Sequence, residues 1–98
     1  MSFVAISKLK YPAELKEAIH AVGLNMIPIA KRQAGFVSIA FHQSTDKNET
    51  MMYWQWESEQ DHQACMKSDD WQAIMNLSAS LFQSEGVEFS IESYEKLA

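Results

Sequence analysis

Apolar positions along the chain follow two periods, and the order in which those periods alternate predicts the architecture. In "FVAISKL" (residues 3–9), Val4 and Ile6 fall on one side of an extended chain and Phe3, Ala5, Ser7 and Leu9 on the other. Apolar side chains on both faces are the mark of an interior strand. From Pro12, which suits a first helical turn, Leu15, Ile19, Val22, Met26 and Ile29 recur at steps of three and four, the stripe of a long amphipathic helix. Gly23 and Pro28 interrupt that stripe, and because Pro28 lacks a backbone donor, a kink or a break into two pieces is expected there. Lys31 and Arg32 lie where the helix dipole favours cations, and Gly35 suits the stop.

Two β-rich runs follow, "FVSIAFHQS" (36–44) and "TMMYWQWE" (50–57), joined by the polar "TDKNE", so an antiparallel hairpin with a medium loop is expected. Ser58 suits an N-cap, with Asp61 three positions on. A second helical region then runs from about Glu59 to Phe82. Its centre, "KSDDW", is expected to divide it, because Ser and Asp compete with helical hydrogen bonding and start new helices. Ala73, Ile74, Leu77 and Leu81 give the second piece its apolar stripe. After Gly86, Val87, Phe89 and Ile91 alternate with Glu88, Ser90 and Glu92, a strand with one wet face. The order strand, helix, strand, strand, helix, strand predicts a single α+β domain over residues 1–98. It is the ferredoxin-like split βαβ (βαββαβ), an antiparallel four-stranded sheet with helices on one face.

That arrangement leaves the other face of the sheet without cover, although the first three strands carry apolar residues on both sides. A second copy of the chain is the simplest cover, so a homodimer with sheets packed face to face is expected.

Composition adds exclusions. Thirteen acidic against eight basic residues give a net charge of −5 with the basic residues scattered, which argues against a nucleic-acid partner. No run approaches the ~20 apolar residues of a membrane span, and the opening "MSFVAISKLKYP" lacks the form of a signal peptide. Cys65 is the one cysteine, so no internal disulfide forms. A cytoplasmic protein with no membrane partner is the expectation.

Candidate chemistry gathers in "MMYWQWESEQDHQACMKSDDWQ" (51–72). Trp54 and Trp56 share a strand face with Met52, where tryptophans serve as core or interface filling. His62 and Cys65 stand three apart on a helix. Two further metal ligands at fixed geometry are missing, and an acidic helix disfavours a reactive thiolate. Cys65 therefore reads as a small buried apolar residue and His62 as a solvated one. On the second strand, His42 shares its alternation with Phe36, Ser38 and Ala40. With Ala5 and Ser7, these small residues either let helices approach closely or leave a pocket with hydroxyls and one imidazole. His42 would then be a structural residue or a proton acceptor. No Gly-rich phosphate loop and no G-x-S-x-G elbow occurs.

"QAGFVSIAFHQSTD" and "YWQWESEQDHQACMKSDDWQ" together resemble the antibiotic biosynthesis monooxygenase family, in the order of its Gly-plus-strand and Trp-Glu-Ser-plus-helix patterns. The resemblance spans nearly the whole chain. It implies a dimeric α+β barrel with a pocket in each subunit between helices and sheet, and oxygenase chemistry on phenols or quinols with no cofactor, neither metal nor flavin. Haem-degrading members of the family have an Asn, a Trp and a His at the positions of Ser7, Cys65 and Met75, and all three differ here. Quinol-oxidising members have a His at the position of Cys65.

The reading carried forward is a cofactor-independent monooxygenase acting on a small aromatic molecule. His42 is its candidate base, and Ser7, Cys65, Trp71 and Met75 are the substrate-binding residues. A non-catalytic small-molecule-binding or regulatory dimer, or an isomerase on the same fold, is the alternative.

Overall fold

The computed structural model describes residues 2–98. Four strands, β1 (Phe3–Lys10), β2 (Phe36–Gln43), β3 (Glu49–Trp56) and β4 (Glu88–Glu95), form one antiparallel sheet in the order β2-β3-β1-β4. Between β1 and β2 a 3-10 turn (Ala13–Leu15) leads into helix α1 (Lys16–Lys31). Between β3 and β4 lie α2 (Glu59–Lys67), α3 (Asp69–Leu77) and the short α4 (Ala79–Phe82). The expected split βαβ order is present, and the helices lie on one face of the sheet.

Helix α1 runs unbroken through Pro28, so the break into two pieces does not occur. Pro28 and Leu24, the residue whose carbonyl loses its donor, are both exposed, so water can satisfy that carbonyl and the helix need not part. Ser58 caps α2 by accepting from the backbone N–H of Asp61 at 3.2 Å. Ser68 divides α2 from α3 with a single hydroxyl that accepts from Trp71 N–H at 3.3 Å and donates to the Cys65 carbonyl at 2.8 Å. Both ends of the break in "KSDDW" are thus satisfied locally.

The core lies between sheet and helices. Thr50, Met52, Trp54 and Trp56 of β3 are buried on that face and alternate with half-buried Glu49, Met51, Tyr53 and Gln55 on the other. The register places Ala5 beside Trp54 and Ser7 beside Met52 on the helix side. Met26 and Ala30 of α1 and Cys65 and Trp71 of α2 and α3 close over them.

One irregularity redirects β2. Phe36 pairs with Trp56 and Ser38 with Gln55, so Val37 is an extra residue, a β-bulge. Beyond it the alternation reverses. Ile39 and Phe41 turn toward the helices, whereas Ser38, Ala40 and His42 turn away.

The outer face carries Val4, Ile6, Ala40, Met51, Tyr53 and Tyr94 at its centre, with Lys8, Lys10, Glu49 and Glu88 toward one end. Strand β4 is exposed along its whole length.

Candidate functional site

A cavity of about 480 Å³ opens between the sheet and helices α1, α2 and α3. Its floor is Ser7 and Leu9 of β1, Phe41 of β2, and Met52 and Trp54 of β3. Its roof is Gly23 and Met26 of α1, with His62, Met66, Trp71 and Met75 from α2 and α3. Phe89 and Ile91 of β4 border the side that no helix covers, and are 62% and 45% exposed. The surface is almost wholly apolar, and no carboxylate, lysine or arginine reaches it.

Aromatic rings set the shape at the α2 end. Trp54 stands edge-on to Trp71 with ring centroids 5.0 Å apart, and to His62 at 5.8 Å. His62 also packs against Trp56 at 5.9 Å and Phe3 at 5.2 Å. Nε1 of Trp54 and Nε2 of His62 are buried, and neither has a hydrogen-bond partner among the described residues. A buried polar atom left unpaired costs about 1–3 kcal/mol, and these atoms are sealed behind the packed rings, away from the open cavity space. Burial lowers the pKa of His62 below its ordinary value, only weakly opposed by Glu59. Its imidazole is therefore neutral at pH 7 and competent to accept a proton.

Of the residues singled out from the sequence, Ser7, Trp71 and Met75 line this cavity. Cys65 and His42 do not. Cys65 is completely buried in the core beneath the cavity, and desolvation pushes its thiol up to about 11. His42 lies exposed on the outer face, because the Val37 bulge inverts the alternation that would have turned it inward. The histidine that sequence reasoning left in solvent, His62, is the one that lines the cavity and is only 8% exposed. Its spacing carried the signal: three residues before Cys65, it shares the buried face of α2. Among the described residues, no three histidine, cysteine, aspartate or glutamate side chains come together as a metal cluster.

No curated protein matches the chain by sequence. Solved structures resemble it closely in fold at low identity. Rv0793 from Mycobacterium tuberculosis superposes with a TM-score of 0.85 at 14% identity, over 100% of this chain and 97% of its own. A conserved protein from Methanosarcina mazei Go1 gives a TM-score of 0.84 at 16% identity, over 99% and 94%. SnoaB from Streptomyces nogalater, a cofactor-independent oxygenase, gives a TM-score of 0.81 at 10% identity, over 97% and 92%. The sequence model of the antibiotic biosynthesis monooxygenase family matches residues 2–77, which span both strands and helices that enclose the cavity, and the chain belongs to that family.

Proposed function

We propose that this protein is a cofactor-independent monooxygenase of small aromatic phenols or quinols, with His62 as the base. The observation that carries this reading is a single neutral imidazole on the wall of an almost wholly apolar cavity of ring-compound size. His62 takes the proton of the substrate hydroxyl, leaving negative charge on the oxygen. The electron-rich anion passes one electron to dioxygen. The resulting superoxide and ring radical combine at a ring carbon, and the proton held by His62 completes a hydroperoxide. The C–H and O–O bonds at that carbon then break, water leaves, and a quinone remains. For a phenol with a free para carbon, phenol and O2 balance quinone and water.

Acidity narrows the substrate class. A simple phenol ionises near pH 10 and an imidazolium near or below 6.5, so the proton transfer is uphill by roughly 5 kcal/mol or more. A hydroxyl acidified by a conjugated carbonyl, as in fused-ring hydroxyketones, meets this site better than phenol itself. Ser7, Trp71 and Met75 are proposed to bind the ring and to exclude water. Two chains are proposed to associate through the outer sheet face, where Val4, Ile6 and Tyr53 lie close together.

Oxygen consumption with a panel of phenols, hydroquinones and fused-ring hydroxyketones tests the proposal. His62→Gln should lower kcat/KM by about 10²–10⁴-fold, whereas His42→Ala should leave it within threefold. Uptake that persists undiminished in His62→Gln would remove the base, and no uptake with any of these compounds would remove the activity.

A further inference from the structure

Where α1 meets β2, one ring reaches from the sheet to the helix backbone. Phe41 lines the cavity, and its ring tip rests on Gly23 in the middle of α1. A methyl group built at Gly23 would lie 2.6 Å from Cε2 and 2.9 Å from Cε1 of Phe41, with Cζ closer still. Such approaches do not occur between real atoms, so any side chain at this position displaces the ring. Glycine inside a helix is unfavourable by about 1 kcal/mol relative to alanine, and here its absent side chain is where Phe41 sits.

The ring is also held from the side. His20 meets it edge-on with centroids 5.9 Å apart. His20 is fixed in turn, its Nε2–H donating to Oε1 of Gln43 at 2.7 Å. That same oxygen accepts from the Tyr11 hydroxyl, and the Gln43 amide donates to the carbonyls of Ser44 at 3.1 Å and Lys47 at 2.9 Å. Gln43 is thus saturated and immobile, and the polar cluster braces His20 against Phe41. The remaining walls contrast with this. Met26, Met52, Met66 and Met75 line the cavity, and unbranched thioethers adapt to irregular occupants.

We infer that Phe41, seated on Gly23, is the specificity-determining end wall of the cavity, setting how many fused rings a ligand can have. This deepens the proposed function and rests on its reading of the cavity as an aromatic site. A cavity of about 480 Å³ lies in the range that small-molecule ligands occupy, large enough for a polycyclic phenol. A longer ligand cannot extend past Phe41 toward β2, so its fourth ring is forced out across Phe89 and Ile91 on the exposed β4 side, where its burial is lost. The methionines adjust width; Phe41 fixes length.

Equilibrium dialysis under nitrogen, so that no turnover intervenes, measures Kd for 1-naphthol, 9-hydroxyphenanthrene and 6-hydroxychrysene, each one ring longer than the last. The wild type should bind the three-ring compound at least tenfold more tightly than the four-ring one. Phe41→Ala should improve binding of 6-hydroxychrysene at least tenfold while 1-naphthol changes by less than threefold. Gly23→Ala, which pushes the ring inward, should weaken 9-hydroxyphenanthrene at least tenfold relative to 1-naphthol. The double variant Gly23→Ala/Phe41→Ala should match Phe41→Ala, since the three atoms nearest the added methyl all belong to the ring that is removed; it also gives a reading if Gly23→Ala alone does not fold. Binding of all three compounds with size ratios unchanged in Phe41→Ala overturns the end wall and leaves the proposed function standing. Failure of the wild type to bind any of them overturns both.

Discussion

His62 and Cys65 stand one turn apart on the buried face of α2, and desolvation by the same core opposes the charged form of each. For Cys65 the charged form is the nucleophile. With its pKa pushed up to about 11, the native thiol should react with a thiol reagent at pH 8 roughly two orders of magnitude more slowly than the unfolded chain. Timed alkylation with and without denaturant checks this. For His62 the charged form is the one to be avoided, and its folded pKa lies below the unfolded 6.5. Below pH 6.5 the unfolded state therefore binds more protons than the folded state, and stability from this group falls as pH falls. Wild-type Tm should drop more steeply between pH 7 and pH 5 than that of His62→Gln, and a parallel pair of curves would contradict the burial argument. The same sign governs catalysis: kcat/KM should be flat at and above pH 7 and should decline only on acidification. From the sequence alone Cys65 reads as a small buried apolar residue, which it is, but its place among the substrate-binding residues and the solvated position expected for His62 do not match the structure. Helical spacing shows that two side chains share a face, but not how far the neighbouring rings of Phe3, Trp54 and Trp56 reach around it.

Strands and helices were legible because each is written by a period and punctuated by a cap. Ser58 and the Ser68 break could be read from residue type alone, since a hydroxyl before a helix finds a backbone donor two or three residues on. Ser68 serves two helices at once, so Ser68→Ala should destabilise the fold by about 1–2 kcal/mol, measurable as a lowered midpoint in urea. Pro28 was misjudged because its cost depends on which side of the helix it occupies. The larger error came from a single residue of β2. Strict alternation from Phe36 carries His42 to the inner face, but the Val37 bulge exchanges the two faces from Ser38 onward. Val37 is itself apolar and β-branched and nothing flanking it marks an irregular strand, so the pattern of "FVSIAFHQS" held no warning. One unpaired residue thereby removed the expected base from the cavity and brought Phe41 into it.

At the scale of the whole molecule, the sheet has one face closed by helices and one that is open. Val4, Ile6, Met51 and Tyr53 lie side by side on the open face, and a pair of such faces packed together is the expected assembly. Sedimentation at micromolar concentration should give twice 11.2 kDa, and Ile6→Lys should shift the species to 11.2 kDa without loss of helical signal. The fold class was readable from element order, and of the small residues Ala5, Ser7, Ser38 and Ala40 that suggested either close helix packing or a pocket, Ser7 alone lines the cavity. Its breadth was not, because it depends on how far α1 and α3 stand from the sheet. Strand β4 deserves a last consequence. It is bonded on one side only, to β1, and its Phe89 and Ile91 border the cavity while largely exposed. The border ribbon is the cheapest part of the sheet to fray, so its amides should exchange with deuterated water ahead of those of β3.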